Sequence, residues 1–136
     1  HPEGLKGAEA TASAIFMARN GFSKAEIKKY IESEFGYNLS RTIDEIRPGF
    51  MMYEDCQRTV PESIIWFLEG IDYEDTVRNV VSLGGDTDTT GAIAGSIAEA
   101  YFGIAEEFIE EGKKRLEPDM LEVINRFYKE IAKQYK

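Results

Sequence analysis

Apolar residues recur along this chain at intervals of three and four rather than two. In the segment "KAEIKKYIESEF", Ile27, Tyr30, Ile31 and Phe35 fall on one face of a helix, and polar residues fill the other. Ser23 followed by Glu26 forms a capping box that opens this helix, and Gly36 closes it. An Ala-rich segment from Leu5 to Arg19, with Ile15, Phe16 and Met17, predicts an earlier helix ending before Gly21. Pro61 suits the first turn of a helix running through "ESIIWFLEG" to Gly70. Asp72 can cap the next, with Val77, Val80, Val81 and Leu83 as its buried face and Gly84 and Gly85 as its stop. A further helix should start near Asp88 and run to Tyr101, before Gly103. The last two, Glu106 to Leu116 and Asp119 to Tyr135, flank Pro118. No segment shows the alternation of a half-buried strand, so the expected fold is all-α, a single helical domain over residues 1–136.

Periodicity weakens between Tyr37 and Gln57. A short helix fits Thr42 to Ile46, and Pro48 with Gly49 should break it. A stretch this long without regular structure is either functional or a packed connection held by Phe50, Met51, Met52 and Tyr53. Both readings stand at this point.

Charge narrows the partners. A net charge of −9 over 136 residues repels phosphate backbones and anionic lipid, which argues against nucleic acid and membrane surfaces. The longest apolar run, Ile64 to Leu68, is far short of the ~20 residues a membrane helix needs. Cys56 is the single cysteine, which excludes an intrachain disulfide, reads as a small buried hydrophobe and suits a reducing cytoplasm.

The stretch "SLGGDTDTTGAIAG" concentrates the candidate chemistry. Asp86, Asp88 and the Thr89 hydroxyl supply hard oxygen donors between two helices, the type preferred by Mg²⁺, Mn²⁺ or Ca²⁺ over zinc. The competing reading makes Asp86 or Asp88 a helix cap, with the threonines satisfying the remaining N–H groups. Gly91 and Gly95 cost a helix interior up to ~1 kcal/mol each. With Ala94 and Ala98 they form a small-residue face that implies a very close neighbouring helix.

Several segments together resemble the C-terminal portion of the ADP-ribosylglycohydrolase family. The motif "SLGGDTDTTGAIAGSIAEAYFGI" is similar to its metal signature, and "HPEGLKGAEATA" to its His-Pro-Glu-Gly segment. "DCQRTVPESIIWFLEGIDYEDTVRNVV" resembles the approach to the metal motif, and the segment from Gly103 onward its closing helices. The resemblance implies a compact orthogonal helical bundle with two divalent cations, Mg²⁺ or Mn²⁺. Asp86, Asp88 and Thr89 stand at metal-ligand positions, the two aspartates acting in catalysis through the metal. It further implies hydrolysis of the bond joining ADP-ribose to a protein side chain or a small ester. His1 is a substrate-side candidate, against the plainer reading of an exposed terminal residue; Glu3 reads as the first acidic residue of a helix.

Departures also matter. The family's N-terminal metal motifs, a Gly-Asp segment followed by a Thr-Asp-Asp-Thr type, have no match here. Arg58 stands where relatives often have Gly, and Gly91 where they often have Ala. The chain is therefore expected to lack the family's N-terminal part, to need that segment to complete its site, and by itself to bind metal weakly with little turnover. The alternatives are a non-catalytic ADP-ribose binder or crystallin-like relative, and a plain helical interaction domain in which the aspartates only cap.

Overall fold

The computed structural model of the protein describes residues 1–51 and 55–134. Met52 and Tyr53, expected to help hold the irregular stretch, and Tyr135, the expected end of the last helix, lie outside the described residues. The structure is all-α: eight α-helices and no strand occur among the described residues. It divides into two units, one from His1 to Gly103 and a second beginning at Ile104.

Helix α1 (Pro2–Arg19) ends as expected. Gly21 adopts φ 77°, and the Gly21 and Phe22 N–H groups return to the carbonyls of Ala18 and Met17, which is the Schellman pattern. Helix α2 (Lys24–Phe35) carries the full Ser23–Glu26 capping box and stops at left-handed Gly36. The short helix α3 (Ile43–Ile46) is capped by Thr42 with Glu45, again reciprocally, and one 3₁₀ turn (Arg47–Gly49) follows it through Pro48.

Helix α4 (Cys56–Glu69) corrects the reading of Pro61. Asp55 caps it by accepting from the Arg58 N–H at 3.0 Å, so the helix starts five residues earlier and Pro61 sits in its interior. A proline there leaves the Gln57 carbonyl without its usual donor, at a cost of about 3 kcal/mol. Burial offsets it: nine of the fourteen residues of α4 are buried, including Ile64, Ile65, Trp66 and Phe67. Tertiary packing overrides the local preference.

Helix α5 (Tyr73–Leu83) is capped by Asp72, which accepts from the Asp75 N–H at 2.7 Å. Its inner face differs from expectation at one position. Val81 is 61% exposed, whereas Thr76 is fully buried and donates its hydroxyl to the Asp72 carbonyl. Helix α6 (Thr87–Phe102) packs against α1, α4 and α5. Phe67 meets Tyr101 and Phe102 near the C-terminal ends of α4 and α6, while Val60 and Ile93 line one shallow cleft nearer their beginnings. These two helices therefore run in the same direction. Gly7 approaches Cys56 and Val60, and Lys24, just beyond α1, reaches the Leu68 and Gly70 carbonyls, so α1 runs with them. Helix α5 runs the opposite way, with Val80 beside Gly91 and Tyr73 beside Gly95. The beginnings of α1, α4 and α6 and the end of α5 thus share one end of this unit.

The stretch from Tyr37 to Met51 is a packed connection. Glu32 accepts from the Leu39 N–H, Glu69 from the Ile43 N–H, and buried Glu62 from the Arg41 guanidinium at 3.2 Å. Phe50 meets Trp66 edge to face at 5.5 Å, as expected of a residue holding the loop; Met51 instead is 68% exposed. Helices α7 (Glu106–Lys113) and α8 (Pro118–Gln134) make up the second unit, and neither holds a fully buried residue among those described. Close ion pairs such as Lys113–Glu110 and Lys133–Glu130 run along their surfaces. No helix among the described residues is long and apolar enough to cross a membrane.

Candidate functional site

Two glycines set the geometry of the link between α5 and α6. Gly84 and Gly85 both take positive φ, 77° and 72°, which an L side chain reaches only with strain. The chain then passes through Asp86 at φ −80°, ψ 69°, with the Thr87 N–H bonded to the Gly85 carbonyl at 3.0 Å. That is an inverse γ-turn centred on Asp86.

The turn separates Asp86 from an ordinary cap. At α2, α3, α4 and α5 the residue before the helix is extended and its side chain accepts a backbone N–H. Asp86 occupies that place for α6, yet its side chain caps nothing. Only its carbonyl joins the helix, accepting from the N–H and the hydroxyl of buried Thr90, at 3.1 and 2.7 Å. The threonine bonds run opposite to the capping expectation, since Thr90 donates rather than accepting a free N–H. Asp88, one residue into the helix, is exposed and accepts the Thr89 N–H at 3.0 Å.

The Asp86 carboxyl group acts on that of Asp88, two residues on. That interaction is the main cause holding Asp88 below the usual aspartate range, with the N–H groups of Thr89 and of Asp88 itself adding to it. Thr89 is exposed beside them. The three oxygen-bearing side chains nominated for a cation thus stand within four consecutive residues at the start of α6. Among the described residues no third carboxylate, histidine or cysteine joins the pair to make a group of three. The donors fit a hard cation of the Mg²⁺ class, which is commonly held by one or two carboxylates and otherwise by water and substrate phosphate.

His1 has a local task. Its Nδ1 accepts from the Glu3 N–H at 3.3 Å and caps α1. Glu3 stands in the first turn of α1 and faces Lys6 at 3.9 Å, while the Lys6 ammonium lies 4.5 Å from the ring centre of Tyr37. The Tyr37 hydroxyl is buried without a hydrogen-bond partner among the described residues, and burial, followed by Glu3 and Cys56, raises its pKa. His1 and the aspartates lie at the same end of the unit, on the beginnings of α1 and α6. Cys56 is half-buried and lines a shallow apolar cleft with Gly7 and Val60.

The small-residue face is less crowded than expected. A Cβ on Gly91 would meet Val80 at 3.9 Å, and one on Gly95 would meet Tyr73 and Val77 at 3.9 Å, which is ordinary contact. Gly70 is far tighter, since a Cβ there would fall 2.1 Å from the Thr76 hydroxyl and 3.1 Å from its Cα. Sequence reading also missed Arg47, whose guanidinium donates to the Ser82 carbonyl and hydroxyl, both at 3.3 Å, four residues before Asp86. A lone arginine in an irregular stretch carries no spacing signal that could have revealed this.

The model of the ADP-ribosylglycohydrolase family matches residues 1–136. No curated protein and no solved structure matches.

Proposed function

The chain belongs to the ADP-ribosylglycohydrolase family, and from that premise we propose that the start of α6 is the metal-binding part of a site for an ADP-ribosylated substrate. Family membership supports a glycohydrolase-type function. The observation carrying the finer reading is that the Asp86 side chain is withheld from capping α6, in a run that continues with the exposed side chains of Asp88 and Thr89. Where both carboxyl groups are ionised they repel each other, and a cation between them would relieve that cost.

Asp86, Asp88 and Thr89 would hold the ion, with Mg²⁺ or Mn²⁺ matching their hard oxygens. Bound, such an ion supplies Lewis acidity and charge neutralisation near an oxocarbenium-like transition state. The chain's own residues contribute orientation. The inverse γ-turn fixes Asp86, and the Thr89 N–H holds the Asp88 carboxylate in one direction. The beginnings of α1, α4 and α6 meet at this end, and their positive dipole ends favour an anionic ligand such as a pyrophosphate despite the net charge of −9. ADP-ribose joined to an arginine, a serine or a small ester is the substrate class.

The test is calorimetric titration with Mn²⁺ and then ADP-ribose, on the native sequence and on Asp86→Asn with Asp88→Asn. The reading expects saturable Mn²⁺ binding that strengthens ADP-ribose binding, and loss of both in the double variant. ADP-ribose binding indifferent to Mn²⁺ and to both substitutions would defeat it.

A further inference from the structure

The turn that carries Asp86 is built from two residues with almost no backbone preference of their own, Gly84 and Gly85. Where Asp86 comes to rest therefore depends on how firmly the helices on each side are held. On the α6 side, Thr90, Ala94, Ile97 and Ala98 are buried in the core. On the α5 side the last turn is exposed at Val81 and Ser82. There Arg47 reaches in from a different part of the chain, one nitrogen on the Ser82 carbonyl and another on its hydroxyl. A guanidinium at a helix C-terminus meets both a carbonyl lacking its intrahelical donor and the negative end of the dipole.

Arg47 is itself anchored. The residues around it are fixed on α4 by the Arg41–Glu62 ion pair, the Ile43–Glu69 hydrogen bond and the Phe50–Trp66 ring contact. A continuous line of contacts thus runs from the most buried helix, through the loop, to the residues just before the two-glycine turn.

We propose that Arg47 is a positioning residue for the Asp86–Asp88 pair, setting the point at which α5 ends and the turn begins. This rests on the metal reading above for its functional consequence, but its structural effect is measurable without any metal. In the Arg47→Ala protein, amide hydrogen exchange followed by NMR is expected to accelerate about tenfold at Gly84, whose amide bonds to the Val81 carbonyl at the end of α5, and at Thr87, whose amide bonds within the turn. Exchange at Phe67 and Ile97 in the core stays unchanged. Arg47→Lys, which keeps the charge but cannot span both Ser82 oxygens, falls between. Mn²⁺ affinity is expected to fall about tenfold with Arg47→Ala, in the range seen when groups supporting a ligand shell are removed. Unchanged exchange at Gly84 and Thr87 in folded Arg47→Ala protein, or acceleration spread equally through the core, overturns the proposal. Failure of the native sequence to bind Mn²⁺ sinks the metal reading instead, and the exchange data then decide the role of Arg47 by themselves.

Discussion

Replacing glycine by alanine should have opposite effects at two positions of this bundle. Gly95 lies mid-helix in α6, and an added Cβ meets the Tyr73 hydroxyl and Val77 at 3.9 Å, ordinary contact that requires no movement. Gly95→Ala then gains helix propensity alone, about 1 kcal/mol. Gly70 presents the reverse case. Its φ of −59° suits any residue, so the backbone imposes no strain. The new Cβ, however, falls 2.1 Å from the Thr76 hydroxyl and 3.1 Å from the Thr76 Cα. The obstacle is not a flexible side-chain end, because Thr76 is fully buried and bonded to the Asp72 carbonyl at 2.8 Å. The start of α5 must shift as a body, at the cost of overpacking, about 1–3 kcal/mol. Reduced unfolded-state entropy returns only about 0.4–1 kcal/mol. Urea melts followed by far-UV circular dichroism measure both, with unchanged m-values as the control for two-state behaviour. A destabilised Gly95→Ala would mean that α5 and α6 approach more closely than the Cβ distances allow. A neutral Gly70→Ala would refute the crowding argument at the α4–α5 corner.

Capping provides a second contrast: Asp72→Ala should cost about 1 kcal/mol of stability because its carboxylate accepts the Asp75 N–H. Asp86→Ala should leave stability within about half of that, because its side chain caps nothing. Equal losses in parallel melts would return Asp86 to the role of a plain cap. Glu62 supplies the pH test. Burial raises its pKa, the Arg41 bond and charge only partly opposing this, so between the unfolded and the native values the folded protein holds a proton that the unfolded chain has released. Its contribution to stability is therefore greatest below the unfolded value and declines as pH rises from about 4.5 toward the raised native value. Glu62→Gln keeps an acceptor for Arg41 and should flatten that slope; a pH profile identical to that of the native sequence would contradict the burial argument.

Much of the fold was legible before any coordinates because it rests on local chemistry. The Ser23–Glu26 box, Gly36, Asp72 and Gly103 act within a few residues of themselves, so their consequences follow from neighbours in the chain. Departures occurred where distant segments decide. Pro61 reads as a first-turn residue and sits inside α4, since burial of Ile64 to Phe67 outweighs a lost hydrogen bond. Val81 matches the apolar period and faces solvent, while Thr76 is buried because Gly70 leaves room beside it.

The same division runs through the candidate site. Sequence by itself determined the run of oxygen-bearing side chains at Asp86, Asp88 and Thr89, the helix that follows it and the family signature, because these are properties of contiguous residues. Tertiary structure decided what those residues are free to do. The positive-φ glycines and the γ-turn withdraw the Asp86 side chain from capping, the parallel run of α1, α4 and α6 brings their beginnings to one end, and Arg47 reaches the turn from 35 residues earlier in the chain as Ser82 counts it. Each depends on how helices far apart in the chain are held in space, and no local pattern of residues encodes that.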